Sequence, residues 1–527
     1  MHDIVIVGSG PAGVSAAFPL LEGGRSVLML DGGKTSTVDA SSDEYLGARL
    51  TDTEQSKWMI GSDFQALRFP DAVSPKLRVP TQSFAFDSFA LANRIESNNV
   101  VALGSLATGG LSNAWGCGVA AYSDDALETF PCQRGAMTKS YQSVATRIGI
   151  SGVDLADDLS EYFGVDDWTS GKIPLDNIHN SMLKTYEKRR ARVQGLGVKM
   201  GVARKAVLSA DSPGRKGCNL CGNCLFGCTR QSLYSSVSDV ERLKTKPSFR
   251  LEPGTLVERI EQIDGGWRLY VLEMDTSDRR TIDCNTLVMA AGTLATTRLV
   301  FDCLSYEDPV QLLSSPTAAF LLWKPSFLGS PLKTGFGLGQ LSFSVQLPKK
   351  YTAFGSLFSP VGIPVSEFVR QIPFQSKVGV EIMKNLLSST SIGNVFLPGQ
   401  LSNITVKLGL EHQLIVEGGY STEAHLLLSN ARKKLTRAFL KLGVILIPGS
   451  FTTGLPGGDI HYAGTIPMKS SPKIGESSEF CEPATTSGLF VVDGTSLPYL
   501  SEQSHTLTIM ANADRVAKHI VSQGVKL

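Results

Sequence analysis

The sequence predicts an α/β protein in which a Rossmann-type nucleotide-binding domain is interleaved with a second domain built on antiparallel sheet (α+β). Three observations predict it. A short, almost wholly apolar run, Asp3-Ile-Val-Ile-Val7, leads straight into a glycine-rich turn, Gly8-Ser-Gly10-Pro-Ala-Gly13. Strand-into-glycine patterns return much later, at Thr286–Gly292 and Gly488–Gly494. Between them, the segment 304–455 changes to period-two alternation, the mark of half-buried antiparallel strands.

Each element follows in order. The run at 3–7 has the composition of a parallel strand buried on both faces. A helical stretch continues to about Leu21, and Gly23-Gly24 stops it. Ser26-Val-Leu-Met-Leu30 is the second strand, ending on Asp31. Residues 34–100 read as loop-rich. Ala107–Gly118 is a second glycine-rich block, and 124–205 mixes helical patterns with acidic loops. Leu256–Ile263 and Trp267–Met274 read as a hairpin around Asp264-Gly265-Gly266. Gln340–Leu347 alternates with period two, and Asn403–Leu408 and Gln413–Glu417 are similar. The chain then returns to the α/β style and closes on a helix through Ile520.

Composition excludes several classes. The 527 residues carry 50 Lys+Arg against 49 Asp+Glu, a net charge of +1, without the basic surplus of a nucleic-acid binder. The hydrophobic fraction of 42% and charged fraction of 19% are those of a globular chain, not a disordered one. No apolar run is long enough to predict a membrane-spanning helix. The start lacks the basic region and small-residue cleavage site of a secretory signal, so a cytoplasmic location is the expectation. Nine cysteines, an odd number, argue against a disulfide framework in that compartment.

The first glycine block meets the contextual demands of a dinucleotide site: it follows a strand and opens a helix. Gly8 permits the tight turn, Gly10 lets backbone approach a pyrophosphate, and Gly13 lets helix and strand pack closely. Ala12 lies in the same turn, where the helix N-terminus directs N–H groups at phosphate. Asp31 stands 21 residues past Gly10, at the end of the second strand, where a carboxylate can accept from a ribose diol. The alternative is a tight turn that binds nothing. An acid here suits FAD or NAD, and the fingerprint does not separate them.

Three distant blocks resemble the glucose–methanol–choline (GMC) family of flavin oxidoreductases. One is the N-terminal fingerprint with Asp31-Gly32-Gly33. The second is Gly109-Gly110-Leu-Ser112-Asn113-Ala114-Trp115, similar to the loop beside the flavin ring in the pyranose-oxidase branch. The third is His461-Tyr-Ala-Gly464-Thr465-Ile-Pro-Met468, followed by Val491-Val-Asp493-Gly494 and His505-Thr506-Leu-Thr-Ile-Met510. The resemblance implies FAD, with His461 as the catalytic histidine and His505 as its active-site partner. It implies that Gly109, Gly110, Ser112, Asn113 and Trp115 flank the flavin. Val257 would contact adenine through its backbone, and Ala291 and Gly292 would form a flavin-side turn. Asp493 and Gly494 would lie near the pyrophosphate and ribityl chain, and Thr506 against the isoalloxazine. Ala114 stands where that branch carries a histidine bonded to flavin, so the FAD is expected to be non-covalent. Pro467, often Arg in the family, and Thr506, usually Pro, are departures.

The chemistry agrees. Oxidising an alcohol removes a hydroxyl proton and a hydride. A histidine can take the proton at neutral pH, and flavin takes the hydride. The chain has seven histidines, and two fall in these blocks. The alternative is a pair of satisfied structural histidines.

Cys218, Cys221, Cys224 and Cys228 form C-x2-C-x2-C-x3-C within eleven residues. That is the ferredoxin spacing for iron–sulfur ligation, without the usual proline after the fourth cysteine. An iron–sulfur cluster, [4Fe–4S] or [3Fe–4S], is the leading expectation. Structural zinc, disulfides and free thiols are the alternatives.

The expected function is therefore FAD-dependent dehydrogenation of an alcohol, with a sugar or glycoside as donor. Electrons would pass through the cluster to an external protein or quinone-like acceptor. An oxidase making hydrogen peroxide, and a lyase keeping FAD without net redox, are the competing readings. The FAD domain is expected to comprise 1–130, 235–303 and 456–527. The substrate domain would comprise 131–234 and 304–455, with the cysteine loop at 215–230. Phe320–Trp323 and Phe354–Phe358 either line a hydrophobic entrance or pack the sheet.

Overall fold

The computed structural model describes residues 1–41, 43, 51–64, 66, 75–153, 155–362 and 375–524. Of the loop-rich stretch 34–100, residues 42, 44–50, 65 and 67–74 lie outside the described residues, as do 363–374 of the segment 304–455. The fold is α/β, and the described residues form three sheets, two of mixed and one of antiparallel pairing.

The first sheet runs Phe249–Pro253, Val27–Asp31, His2–Val7, Arg279–Met289, Gly266–Glu273, Thr255–Ile263, with Leu489–Val491 also paired to Arg279–Met289. Its N-terminal strands pair in parallel, and its 255–289 portion is an antiparallel meander. Alternation along His2–Val7 decides what covers each face. Ile4 and Ile6 share an apolar cluster with Val14 and Ala16 of helix Pro11–Glu22 and Met510 and Val516 of helix Thr506–Ser522. Val5 and Val7 face the other way, in a cluster with Leu312, Ile404, Val406, Leu414 and Val416. Both faces are apolar because both are covered.

That second cover is a five-stranded sheet: Tyr462–Ala463, Val310–Ser314, Ile404–Leu408, Leu414–Glu417, Ile95–Asn98. It joins segments that the sequence reading assigns to different domains. Ile95–Asn98, inside the loop-rich stretch, pairs in parallel with Leu414–Glu417, and Tyr462 pairs with Ser314. The reason is burial: these strands cap the apolar face that Val5 and Val7 present.

The third sheet is antiparallel: Ile445–Leu446, Thr317–Trp323, Thr390–Phe396, Thr352–Phe358, Gly339–Gln346, Val198–Val202. One face carries Phe320, Leu322, Leu341, Phe343 and Val395 against Leu428, Leu435 and Phe439 of helix Thr422–Lys441. The alternate residues Ser342, Phe354, Ser356, Phe358, Asn394 and Phe396 line a central cavity. The strand period of two thus makes one face core and the other a cavity wall. Phe320 packs the sheet, whereas Phe354 and Phe358 border the cavity. Among the described residues, no helix is long and apolar enough to cross a membrane.

Candidate active site

The cavity, about 580 Å³, lies where the glycine turns, the third sheet and the C-terminal blocks meet. Of the residues singled out from the sequence, Gly8, Gly10, Ala12, Asp31, Gly110, Ser112, Trp115, Val257, Ala291, Gly292, His461, Asp493, Gly494, His505 and Thr506 line it. Gly13, Gly109 and Asn113 do not, and each supports it from behind. A Cβ on Gly13 would stand 1.9 Å from the Gly8 carbonyl oxygen, so Gly13 is needed for the turn to pack. The Gly109 N–H donates to Ser9 Oγ at 2.8 Å, tying the two glycine blocks together. Asn113 Nδ2 donates to the Thr108 and Gly110 carbonyls at 2.9 and 2.8 Å and shapes the second block.

Gly8 has φ +102, and a Cβ there would meet the Ala290 carbonyl oxygen at 2.3 Å. Only glycine fits that close approach between adjacent parallel strands. Asp31 is buried and fully engaged. Its Oδ2 accepts from Ser9 N and Oγ at 3.2 and 2.5 Å, and its Oδ1 from Gly33 N and Thr108 Oγ1 at 2.8 and 3.0 Å. Asp493 is engaged in the same way. Its Oδ2 accepts from Gly292 N and Thr296 Oγ1 at 2.9 and 2.6 Å, and its Oδ1 from Thr495. Those contacts cap the start of helix Thr293–Leu304 at the cavity edge.

The cradle fits an FAD. A Cβ placed on Gly116, Gly118 or Gly292, all lining the cavity, would meet no protein atom within 4 Å. Bare backbone therefore faces open space, beside a glycine turn and a helix N-terminus suited to phosphate. Ala114 also lines the cavity and offers no atom for a bond to flavin.

The two histidines come together although 44 positions separate them in sequence. His505 immediately precedes helix Thr506–Ser522, and His461 immediately precedes strand Tyr462–Ala463. Their ring centroids are 4.8 Å apart with planes at 75°, and His461 also lies 5.2 Å from the Phe396 ring. Burial lowers His461 to about 4 and His505 well below its ordinary value, the latter helped by the neighbouring His461. Both are therefore neutral at pH 7, the form that can accept a proton. Nδ1 of each lacks a hydrogen-bond partner in good geometry.

Sequence reasoning missed three cavity residues. Asp459 lies two positions before His461, its Oδ2 3.2 Å from His461 Nδ1. Glu502 is buried, accepts from Tyr162 Oη at 2.8 Å, and has its carboxyl pushed up by burial. The Lys205 side chain is buried, its Nζ 4.7 Å from the Phe336 ring centroid. The only signal for any of them was spacing: Asp-x-His at 459–461, and Glu three before His505.

The four cysteines of the run lie within electrostatic reach of one another. Cys218 Sγ accepts from Leu220 N at 3.4 Å and Cys224 Sγ from Gly337 N at 3.3 Å. All four are free thiols. Among the described residues, no three His, Cys, Asp or Glu side chains are grouped to hold a metal ion. The iron–sulfur expectation is thus without support from a preformed ligand group, although the four thiols are neighbours in space.

No family model matches the chain, and no curated protein matches it in sequence. Solved structures do match. Pyridoxine 4-oxidase from Mesorbium loti superposes with a TM-score of 0.61 at 14% identity, covering 98% of this chain and 99% of that one. A formate oxidase from Aspergillus oryzae RIB40, studied for FAD modification, gives 0.63 at 13%, covering 99% and 98%. A fungal aryl-alcohol oxidase gives 0.56 at 13%, covering 99% of both. Over nearly its whole length, the chain has the fold of these oxidases.

Proposed function

We propose that this chain is an FAD-dependent oxidoreductase of the GMC type that oxidises an alcohol group. The observation that carries the reading is the neutral His461–His505 pair in the same cavity as the glycine turn, Asp31 and Asp493. The glycine blocks, Asp31, Val257, Asp493 and the helix N-termini would hold the cofactor. Bound there, FAD would supply the hydride acceptor. His461 takes the hydroxyl proton, and His505 orients the alcohol oxygen. A neutral imidazole is the competent base, and burial keeps it neutral. Phe354, Phe358 and Phe396 exclude water and give the pocket an apolar wall, with Ser342, Ser356 and Asn394 as polar contacts. Such a wall suits an amphipathic alcohol, and a glycoside or sugar is the donor class that the sequence resemblance implies.

The test is flavin content followed by anaerobic mixing with aromatic alcohols, glycosides and free sugars. One FAD per chain, bleached by at least one alcohol, is the expected result. A protein that neither carries nor takes up FAD overturns the reading. The acceptor is measured separately. Stoichiometric peroxide would identify oxygen as the acceptor. Iron with matching acid-labile sulfide would support a relay through Cys218–Cys228.

A further inference from the structure

We propose that Asp459 is the positioning residue of the base. Its carboxylate holds the His461 imidazole with the proton on Nδ1, leaving Nε2 to receive the substrate hydroxyl proton. The inference rests on the proposed role of His461.

Geometry carries it. Asp459 Oδ2 and His461 Nδ1 are 3.2 Å apart, and the Asp459 side chain is only 7% exposed. The backbone N–H groups of Asp459 and His461 approach the carboxylate, but among the described residues neither oxygen has a donor in good hydrogen-bond geometry. No side chain competes with His461 for them, and Nδ1 has no other partner. Contrast Asp31 and Asp493, whose four oxygens are all engaged. A buried carboxylate left without other partners is costly unless it meets a partner during the reaction.

The intervening backbone reinforces the pairing. Ile460 has φ +62, a left-handed conformation that a β-branched residue rarely adopts. In extended chain, residues 459 and 461 would alternate with 460 but stand well apart along the strand. The turn through Ile460 folds them face to face. Downstream, Tyr462 is anchored by its hydroxyl, which donates to the Gly457 carbonyl at 2.7 Å. Strain held in place beside a reactive group is a sign of function, and here it sits between the two side chains concerned.

The chemical gain is one of charge. Burial alone resists a cation on His461. With Asp459 ionised, proton uptake at Nε2 takes the pair from a net charge of −1 to 0. Without the carboxylate, the same uptake creates an isolated buried cation. The step balances: the substrate O–H bond breaks, Nε2–H forms, and the electron pair stays on oxygen. That pair would become the second C=O bond as the carbon gives up hydride, for which bound FAD would supply the acceptor. The Nδ1 proton does not leave. The role parallels that of any buried carboxylate that fixes a catalytic tautomer.

The experiment uses the FAD-loaded enzyme and an alcohol that reduces it. Asp459→Asn should retain flavin and bind substrate normally, yet slow anaerobic flavin reduction by about tenfold to a thousandfold. Its solvent deuterium isotope effect should rise as O–H cleavage becomes limiting. Alcohols with more acidic hydroxyls should recover much of the loss, and Asp459→Glu should recover part. Reduction at the wild-type rate overturns the inference. So does an equal slowing for all alcohols with an unchanged isotope effect, which would mark Asp459 as merely structural. Failure of the parent reading looks different: the wild-type flavin stays oxidised with every alcohol, or His461→Ala reduces as fast as wild type, and the inference falls with it.

Discussion

The cofactor cradle and the histidine pair line one cavity but treat their polar atoms in opposite ways. In the cradle every carboxylate oxygen is used. Asp31 draws together Ser9, Gly33 and Thr108, and Asp493 draws together Gly292, Thr296 and Thr495. At the pair, both Nδ1 atoms and both Asp459 oxygens lack partners in good geometry. Saturated groups make a rigid, preorganised surface suited to holding a ligand. Unspent groups are costly in the resting protein and are useful where protons move. On the proposed function, the difference separates binding from chemistry inside a single cavity.

The comparison breaks most visibly at His461. His461→Ala should leave FAD bound and lower the rate of anaerobic flavin reduction by about 10²–10⁴-fold, measured by rapid mixing. Loss of flavin together with loss of rate would mean that the histidine belongs to the cradle.

pH gives the next largest effect. Burial raises the Asp459 carboxyl to about 8 and lowers His461 to about 4. The competent form needs Asp459 ionised and His461 neutral. His461 meets its condition above about 4, so the carboxyl sets the acid limb. The reduction rate should rise with pH up to about 8, falling about tenfold per unit below it. The other titratable groups within electrostatic reach of Asp459 are Tyr420 and Tyr462, which burial holds neutral over this range. Asp459→Asn should abolish this limb. A limb that persists in the variant would assign it elsewhere.

The cradle is probed by Asp31→Asn. The amide keeps the shape but turns one acceptor into a donor facing the Ser9 or Thr108 donors. FAD binding, followed by flavin fluorescence, should weaken by about tenfold or more, with the reduction rate of the loaded enzyme little changed. A change in rate without a change in binding would blur the division between the two regions.

The smallest effect is expected at Ile460. Ile460→Gly removes the strain of φ +62 and adds unfolded-chain entropy, so the two terms oppose. Thermal stability should shift by no more than about 1 kcal/mol, while flavin reduction slows as the Asp459–His461 pairing loosens. A faster variant would show that the turn is not serving the pair.

Much of the cradle was legible from sequence because its demands are local. Gly8 must adopt positive φ within one turn, Gly13 must let that turn pack, and Asp31 closes the next strand. The third sheet was legible for the same reason: Gln340–Leu347 alternates, and the observed strand is Gly339–Gln346. Ile95–Asn98 was not. Its four residues are mostly polar and exposed, and its strand character comes from pairing with Leu414–Glu417, more than 300 positions away. Phe320 and Phe354 look alike in sequence, and only sheet register sends one into the core and the other to the cavity wall. The cysteine spacing was legible as a local cluster, and the four thiols are neighbours in the fold, but whether they hold a metal is not decided by spacing.

The sequence by itself determined the glycine turn and the strand and helix that flank it, because short-range sterics and period depend on neighbours alone, while His461 and His505 were singled out by the resemblance of their blocks to the GMC family. Tertiary structure alone decided that His461 and His505 meet, that Asp459 turns back onto His461, and that a five-stranded sheet stitches the two ends of the chain across the first sheet. Those outcomes depend on which apolar faces bury one another across hundreds of residues, and that free energy is carried by no local segment.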